Sequence, residues 1–540
     1  MRSSRVRLFS LALLIGIAAM AGSRAIGQAP APGPLDVVIG VGLPAIDRGV
    51  VADRSRVPDS PETRRRRSIR SRANLQDRLG AGGLHYRGGR VLVRFRDGMS
   101  SASRLSALSA TARTAAISTR PSSANFDVVQ IDASEDAEAV AQALAQRGDV
   151  EYAQAAYRVH TEFKPNDPLY ASRQWNLPLI DMERAWDIQP LAGSSIVVAV
   201  IDTGVAYTNA TVSRTASAFI DEQGVSYPAL GPLTLPYAAA PQLGGASRFV
   251  APHDFIWNSG TPLDFDGHGT HVSGTIGQLT NDNTSAAGVA YGVKLMPIKV
   301  IDSIWDQIFG SPNEATDEVV ARGIRYAADN GAKVLNLSLG RSGPADCGTR
   351  PAQPGCSPVI EDAIRYAVGK GAFIAVSGGN DFEDGNPTEV LGEIASRVNG
   401  AVSVAAVDPL KNRSFYSSTG AWIELSAPGG SNRGFRENGY IWQQTLDFNF
   451  VETFLQPPAR YQAPRFDVVA DIGYIGTSQA APHVAGVAAM LMQQGVTDPA
   501  AVEAALERFA TDLGDPGRDP LYGFGLVEAR NTLRGLGIAR

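Results

Sequence analysis

An α/β fold, with a doubly wound and mainly parallel sheet covered by helices on both faces, is what this sequence predicts, preceded by a smaller α+β unit. Three observations carry the larger prediction. The run Ser195 to Ile201 is apolar and β-branched and ends in Asp202-Thr203-Gly204, the pattern of a strand buried on both faces with a carboxylate at its C-terminal end. Glu314 to Asn330 reads as a helix closed by Gly331 and followed at once by the strand Lys333 to Leu337. Ser357-Pro358 opens a further helix in the favoured pairing of cap and first turn, Gly371 ends it, and Phe373 to Val376 is the next strand. Alternating strands and helices of this kind build parallel sheets. In such sheets ligand chemistry gathers beyond the carboxyl ends of the strands, which is where Asp202 falls.

The segments before this region are of three kinds. Residues 1–25 hold Arg2, Arg5 and Arg7, an apolar run from Leu8 to Ala21 and small residues around Gly22-Ser23-Arg24-Ala25, the make-up of a secretory signal peptide. The apolar run is too short to span a membrane and no other stretch is long enough. A secreted, soluble protein without a membrane anchor is therefore expected, extracellular or alternatively periplasmic. Residues 26–88, rich in Pro and Arg and including Arg64-Arg65-Arg66-Arg67, have little to bury and read as a disordered linker. A solvated spacer accounts for these arginines better than a nucleic-acid patch does. Residues 89–164 then read as a compact α+β unit: strand Val91 to Phe95, helix near Ala102 to Ala115, strand Phe126 to Ile131, helix from the cap residue Ser134 to Arg147, and a last strand near Val150.

Chemistry-bearing residues concentrate in three blocks of the larger region. Gly476-Thr477-Ser478-Gln479-Ala480-Ala481-Pro482-His483 places a serine at the opening of a helix of small residues, where free N–H groups and the helix dipole stabilise negative charge. An ordinary helix cap has the same look. A serine nucleophile needs a base, and the base needs an orienting acid. Asp266-Gly267-His268-Gly269-Thr270-His271-Val272 offers His268 between glycines that let other side chains approach, and Asp202 offers the acid.

Asp202-Thr203-Gly204, Gly267-His268-Gly269-Thr270-His271-Val272 and Gly476-Thr477-Ser478, in this order, resemble the three signature blocks of the subtilisin-like serine peptidases. The likeness continues through Gly288-Val289-Ala290, Ile298-Lys299-Val300, Asn336-Leu337-Ser338-Leu339-Gly340 and Ser426-Ala427-Pro428-Gly429, and so covers roughly residues 166 to 530. It implies a subtilisin-like fold over 165–540 and a serine endopeptidase that hydrolyses peptide bonds through an acyl-enzyme. Asp202 would orient the imidazole, His268 act as general base and then acid, and Ser478 attack the scissile carbonyl. Phe373 to Asn380 matches the block whose asparagine serves as oxyanion donor, with the Ser478 N–H as the second donor. Ser338, Leu339, Gly340 and Gly378 would line the substrate cleft, Ser338 to Gly340 pairing with extended peptide main chain. Gly378 and Gly379 suggest a pocket with room for larger apolar side chains. Residues 89–164 would be a ferredoxin-like propeptide that inhibits its own enzyme, blocks the cleft with a tail around Gln154 to Lys164 and assists folding of a slow parallel sheet. The chain would then be a monomeric, self-processing zymogen whose partners are protein or peptide substrates and its own propeptide.

No cofactor is expected for the chemistry, and a structural calcium is possible. Asn281-Asp282-Asn283 is a plausible oxygen-donor loop, but Thr211 stands nine positions after Asp202, where the best-known calcium site of the family carries an acid. Asp264 and Asp266 could join a metal site or a solvated turn. His271 and His483 read as packed or hydrogen-bonded histidines, since no zinc-type Glu or Cys pair accompanies them. Cys347 and Cys356 lie close together in a Gly/Pro-rich loop, and in an exported chain a disulfide is expected, the alternative being two free thiols. Two stretches rich in Gly, Pro and aromatics, 208–252 and 430–471, read as surface insertions that shape substrate access.

Charge tests whether a basic propeptide clamps an acidic enzyme. Residues 165–540 carry 25 Lys and Arg against 39 Asp and Glu, and residues 1–164 carry 24 against 15. Gly89 to Tyr157, however, is balanced at 7 against 8, so the positive excess lies in the signal and linker and does not clamp the folded units together. Two rival readings lack their sequence support. An adhesion protein on a dead scaffold would have lost one of Asp202, His268, Ser478 and Asn380, and an acid-acting relative would carry Glu at position 268.

Overall fold

The structure is a computed structural model that describes residues 77–79, 85–112, 115–120, 123–157, 163–220, 226–344, 347–350, 353–447 and 464–535. The expected signal peptide and most of the expected linker lie outside the described residues.

The N-terminal unit is an antiparallel sheet of five strands: β1 (Asp77–Leu79), β2 (His85–Phe95), β3 (Ala116–Thr119), β4 (Asp127–Gln130) and β5 (Val150–Tyr157). The central strand β2 pairs with β1 and β4 and, along its other edge, with β5. Alternation decides its faces. Val91, Val93 and Phe95 are buried against Leu108, Val140 and Leu144 of the two helices Ser101–Ser109 and Ala137–Ala145. Three sequence expectations change here. Strands β1 and the start of β2 fall inside 26–88, so the folded unit begins before residue 89. Strand β3 occupies part of the expected first helix's neighbourhood, and that helix stops at Ser109. The second helix is capped by Asp136, whose Oδ1 accepts the Glu138 N–H at 2.9 Å, while Ser134 is bound in a turn to Asp132. Both residues are good caps, and sequence alone ranks them equally.

The larger unit starts with Phe163, whose ring meets Trp186 edge-on at 5.5 Å. Strand β6 (Val197–Asp202) runs as expected. A first ribbon follows, β7 (Ala210–Ala216), β8 (Phe219–Ile220), β9 (Ser226–Tyr227) and β10 (Leu230–Tyr237), before β11 (His253–Asp254) and β12 (Lys294–Lys299). Next come β13 (Val334–Leu337), β14 (Ser342–Gly343), β15 (Phe373–Ser377), β16 (Thr388–Glu389), β17 (Ala401–Val407) and β18 (Leu425–Pro428). A second ribbon, β19 (Ile441–Leu446) and β20 (Val469–Tyr474), precedes the long helix Thr477–Gln493.

Seven of these strands form one parallel sheet in the order β11-β12-β6-β13-β15-β17-β18. Successive residues of β6 face opposite ways, and both faces are apolar. Val198 and Val200 meet the core packed by helices His268–Gly277, Thr477–Gln493 and Pro499–Phe509, while Ala199 and Ile201 meet helices Asp317–Asp329 and Pro358–Gly369. This is the doubly wound arrangement the apolar strands call for. Helix Asp317–Asp329 starts from Thr316, whose Oγ1 accepts the Val319 N–H at 3.3 Å, and Gly331 follows it with φ 85°. The chain-reversing glycine after the helix beginning at Pro358 is Gly371, φ 84°.

The described parts of the two insertions are not loops laid on the surface. Leu235 and Tyr237 of the first ribbon, and Ile441, Leu446 and Phe466 of the second stretch, are buried at 3 % exposure or less. Their aromatic and aliphatic residues are there to be packed, and antiparallel pairing satisfies the backbone that carries them inward. Among the described residues no helix is long and apolar enough to cross a membrane.

Candidate active site

Asp202 ends β6 at the carboxyl edge of the sheet. Its Oδ1 lies 2.7 Å from Nδ1 of His268 and accepts the Thr203 N–H at 2.7 Å, and its Oδ2 has no partner among the described residues. His268 opens helix His268–Gly277 after Gly267, which has φ 94°. Gly269 is what lets this helix come so close: a Cβ there would overlap Gly204 O and lie 3.1 Å from Cβ of Asp202. The sequence reading of small neighbours around His268 is realised in that contact. Burial alone would push the imidazole down, but the charge and hydrogen bond of Asp202, with Asp266 and Asp264 behind it, outweigh burial and lift His268 to about 9.

Ser478 stands in the first turn of helix Thr477–Gln493, half-buried. Its hydroxyl donates to Ser338 O at 3.3 Å, and its carbonyl accepts the Ser338 hydroxyl at 2.7 Å. No hydrogen bond joins it to His268 in this conformation. Asn380, exposed just beyond β15, uses Oδ1 to accept both the N–H and the hydroxyl of Thr477, each at 2.9 Å. That grip leaves Nδ2 without a partner among the described residues, on the same side of Gly476 as the Ser478 N–H. An acid–base pair, a hydroxyl at a helix N-terminus and a preset amide donor are thus gathered at one sheet edge.

Comparison with known proteins identifies the family of the chain. Residues 193–525 match the model of the Subtilase family, and residues 74–155 match that of the fervidolysin N-terminal prodomain. The chain belongs to the subtilase family. It is similar to a thermophilic serine proteinase of Bacillus sp. (strain AK1), 28 % identical over 453 residues that cover 84 % of this chain and 88 % of that one. Thermitase of Thermoactinomyces vulgaris is 30 % identical over 66 % of this chain and 94 % of its own. An extracellular protease of Xanthomonas campestris is 29 % identical over 78 % of this chain and 69 % of its own. This subtilase is a serine peptidase with an N-terminal prodomain, and its α/β architecture is the one the sequence predicts.

Several residues that hold the site of the subtilase are not legible as such in the sequence. Asp264 is fully buried, not part of a solvated turn. Its Oδ1 accepts from Thr203 Oγ1 at 3.0 Å and from the N–H groups of Asp266 and Gly267 at 3.0 and 2.8 Å, and its Oδ2 accepts from Thr270 N and Oγ1 at 3.0 and 2.6 Å. A carboxylate thereby ties the loop after Asp202 to the N-terminus of the His268 helix, where the helix dipole favours it. Lys299, also fully buried, spends its three protons on Thr203 O (2.7 Å), Leu263 O (3.1 Å) and Asp306 Oδ2 (2.8 Å). The second ribbon braces the other side of the helix, with Thr445 Oγ1 donating to Gly267 O and His271 Nε2 donating to the carbonyls of Ile441 and Ile472 at 3.0 and 3.1 Å.

The other histidine is equally structural: His483 Nδ1 donates to Gln479 O and Nε2 accepts from Asn176 Nδ2, both at 2.8 Å. In the expected cleft, Leu339 and Gly340 are partly exposed, whereas Gly378 has its N–H on Val404 O and its carbonyl on Trp422 Nε1, leaving only its α-carbon to form a wall. Cys347 and Cys356 are joined as a disulfide with their Cα atoms 5.4 Å apart. The Asn281-Asp282-Asn283 loop is tied to the body by protein N–H groups, with Asp167 accepting from Asn281 N at 2.7 Å and Asp282 Oδ2 accepting from Gln242 Nε2 at 3.1 Å. The carboxylates of Glu424, Glu503 and Glu507 cluster within 4.8 Å, near the start of β18 and so on the edge opposite Asp202.

Proposed function

We propose that this subtilase is a secreted endopeptidase that cleaves peptide bonds through an acyl-enzyme on Ser478, and that it matures by removing its own prodomain. The observation that carries the reading is the 2.7 Å bond between Asp202 and His268, fixed on the same sheet edge as the helix N-terminus that bears Ser478. With Nδ1–H donated to Asp202, the imidazole keeps Nε2 as the proton acceptor. Rotation of the Ser478 side chain takes its hydroxyl from Ser338 O to that nitrogen. Oγ then attacks the scissile carbonyl as its proton passes to Nε2, and the oxyanion is met by Asn380 Nδ2 and the Ser478 N–H. The imidazolium returns the proton to the leaving amine, and water repeats the sequence on the acyl-enzyme. Side chains and backbone donors supply all of this chemistry, and any calcium has a structural part only. The signal-like N-terminus, the Cys347–Cys356 disulfide and an extracellular relative support secretion. The prodomain is assigned the role of inhibitor, and the mature enzyme that of a monomer.

The pH dependence tests the base. His268 must be neutral to accept the proton, so kcat/KM on a substrate of neutral side chains should rise with pH along a limb displaced above the ordinary histidine value of 6.5 toward about 9. Asp266 is ionised at the pH of that limb, since burial and the neighbouring Asp264 raise it only to about 6. Asp266→Asn removes a negative charge beside His268 and should move the limb to lower pH. A limb unmoved by that substitution would count against His268 as the titrating base.

A further inference from the structure

We propose that Glu389 is an acidic floor of the first specificity pocket and selects substrates with arginine or lysine before the scissile bond. The pocket walls are Ser338 to Gly340 and Gly378 to Asn380, the segments leaving the paired strands β13 and β15. Glu389 lies between them. Strand β16 brings it there by pairing Glu389 with Ser342 of β14, directly beyond the first wall. A Cβ on Gly340 would overlap the Glu389 carboxylate, with Oε2 at 2.8 Å, and a Cβ on Gly379 would lie 3.3 Å from Cβ of Glu389. The carboxylate therefore fills the space that Gly340 leaves in the first wall, and Glu389 and Ser418 together back Gly379 in the second.

Only one of its oxygens is used. Oε1 accepts the N–H groups of Arg341 at 2.8 Å and Leu391 at 3.3 Å, which also caps helix Val390–Ala395. A capping role accounts for Oε1 but gives Oε2 no partner, and none is present among the described residues. The nearest guanidinium is committed elsewhere: Arg341 forks onto Asp317 at 3.0 and 2.6 Å and donates to Gly355 O at 2.7 Å. Asp381, next to Asn380, adds a second negative charge. Burial lifts the Glu389 carboxyl to about 8 against the lowering pull of its two backbone hydrogen bonds and the Arg341 charge, and a cation placed on it would favour the ionised form. A cationic side chain entering the pocket supplies a charge-assisted hydrogen bond to Oε2, whereas an apolar one takes that oxygen out of water without a partner. Gly340 thus makes room for an acid.

The inference rests on the peptidase reading of this cleft, and its test separates the two. Two fluorogenic peptides that differ only in arginine or leucine before the scissile bond are given to the mature wild type and to Glu389→Gln, whose amide oxygen still accepts from Arg341 and Leu391. The wild type should favour arginine at least tenfold in kcat/KM, and the variant should lose at least tenfold of that ratio. Hydrolysis without an arginine preference, or a ratio unchanged by Glu389→Gln, overturns the proposal. Hydrolysis of neither peptide overturns the peptidase reading beneath it. A second arm uses the chain itself. Arg158 is the one cationic residue of 158–162, between the end of β5 and Phe163. Maturation should leave Val159 as the N-terminus, and a mature wild-type N-terminus that follows an uncharged residue contradicts the proposal.

Discussion

Replacing Ser478 by Ala is expected to yield full-length precursor, still joined to its prodomain, with peptidase activity reduced about 10⁶-fold in kcat. The size follows from the role. Without the hydroxyl there is no acyl-enzyme, and Asn380 with the helix N-terminus can only bind and polarise the substrate. The fold should survive, because Ser478 Oγ makes a single hydrogen bond, to Ser338 O at 3.3 Å, and the Ser338–Ser478 contact at 2.7 Å runs through the Ser478 carbonyl. The cut itself is expected between Tyr157 and Phe163, since β5 still belongs to the N-terminal sheet at Tyr157 while Phe163 is already packed on Trp186. Gel analysis of secreted Ser478→Ala gives the readout. Precursor that accumulates, and is cut when active enzyme is added, fits self-processing; normal maturation of the isolated variant would show that another peptidase does the work.

Asn380→Ala should lower kcat about 100- to 1,000-fold, or roughly 2.7 to 4 kcal/mol of transition-state stabilisation, with KM little changed. The split is the informative part. An oxyanion donor acts on charge that exists only in the transition state, so its loss leaves ground-state binding in place. The same substitution takes the acceptor from the Thr477 N–H and hydroxyl, which adds a stability loss of about 1 kcal/mol visible as a lower melting midpoint. Asn380→Asp keeps that acceptor and turns a carboxylate toward the oxyanion. It should be at least as slow as Asn380→Ala while melting closer to wild type, and an Asp variant with near-normal kcat would remove Asn380 from the oxyanion hole.

The features readable in the sequence were those written in short-range pattern. Strand β6, the helices from Asp317 and Pro358 and the strands after them are continuous apolar or periodic runs with caps at their ends, and local chemistry alone determines such elements. The blocks around Asp202, His268 and Ser478 are equally local. What escaped depends on partners far along the chain. Asp264 reads as a metal ligand or a solvated turn until Thr203 and Thr270 surround it, and the Ile298-Lys299-Val300 block does not say that Lys299 is buried against Leu263 and Asp306. His271 meets Ile441 and Ile472 across about two hundred residues, so the second ribbon's support of the His268 helix has no local signature. The aromatics of both insertions signal burial but not its place, and Glu389 sits in a stretch with no recognisable motif.

Covalent labelling of the mature enzyme with a fluorophosphonate, followed by peptide mass mapping, tests the central claim most directly, because this reagent traps only a serine made nucleophilic by its base. One adduct per chain, on Ser478, with activity lost in step and labelling abolished in His268→Ala, is the result expected. An adduct on any other residue, or full activity in enzyme already labelled at Ser478, would contradict it.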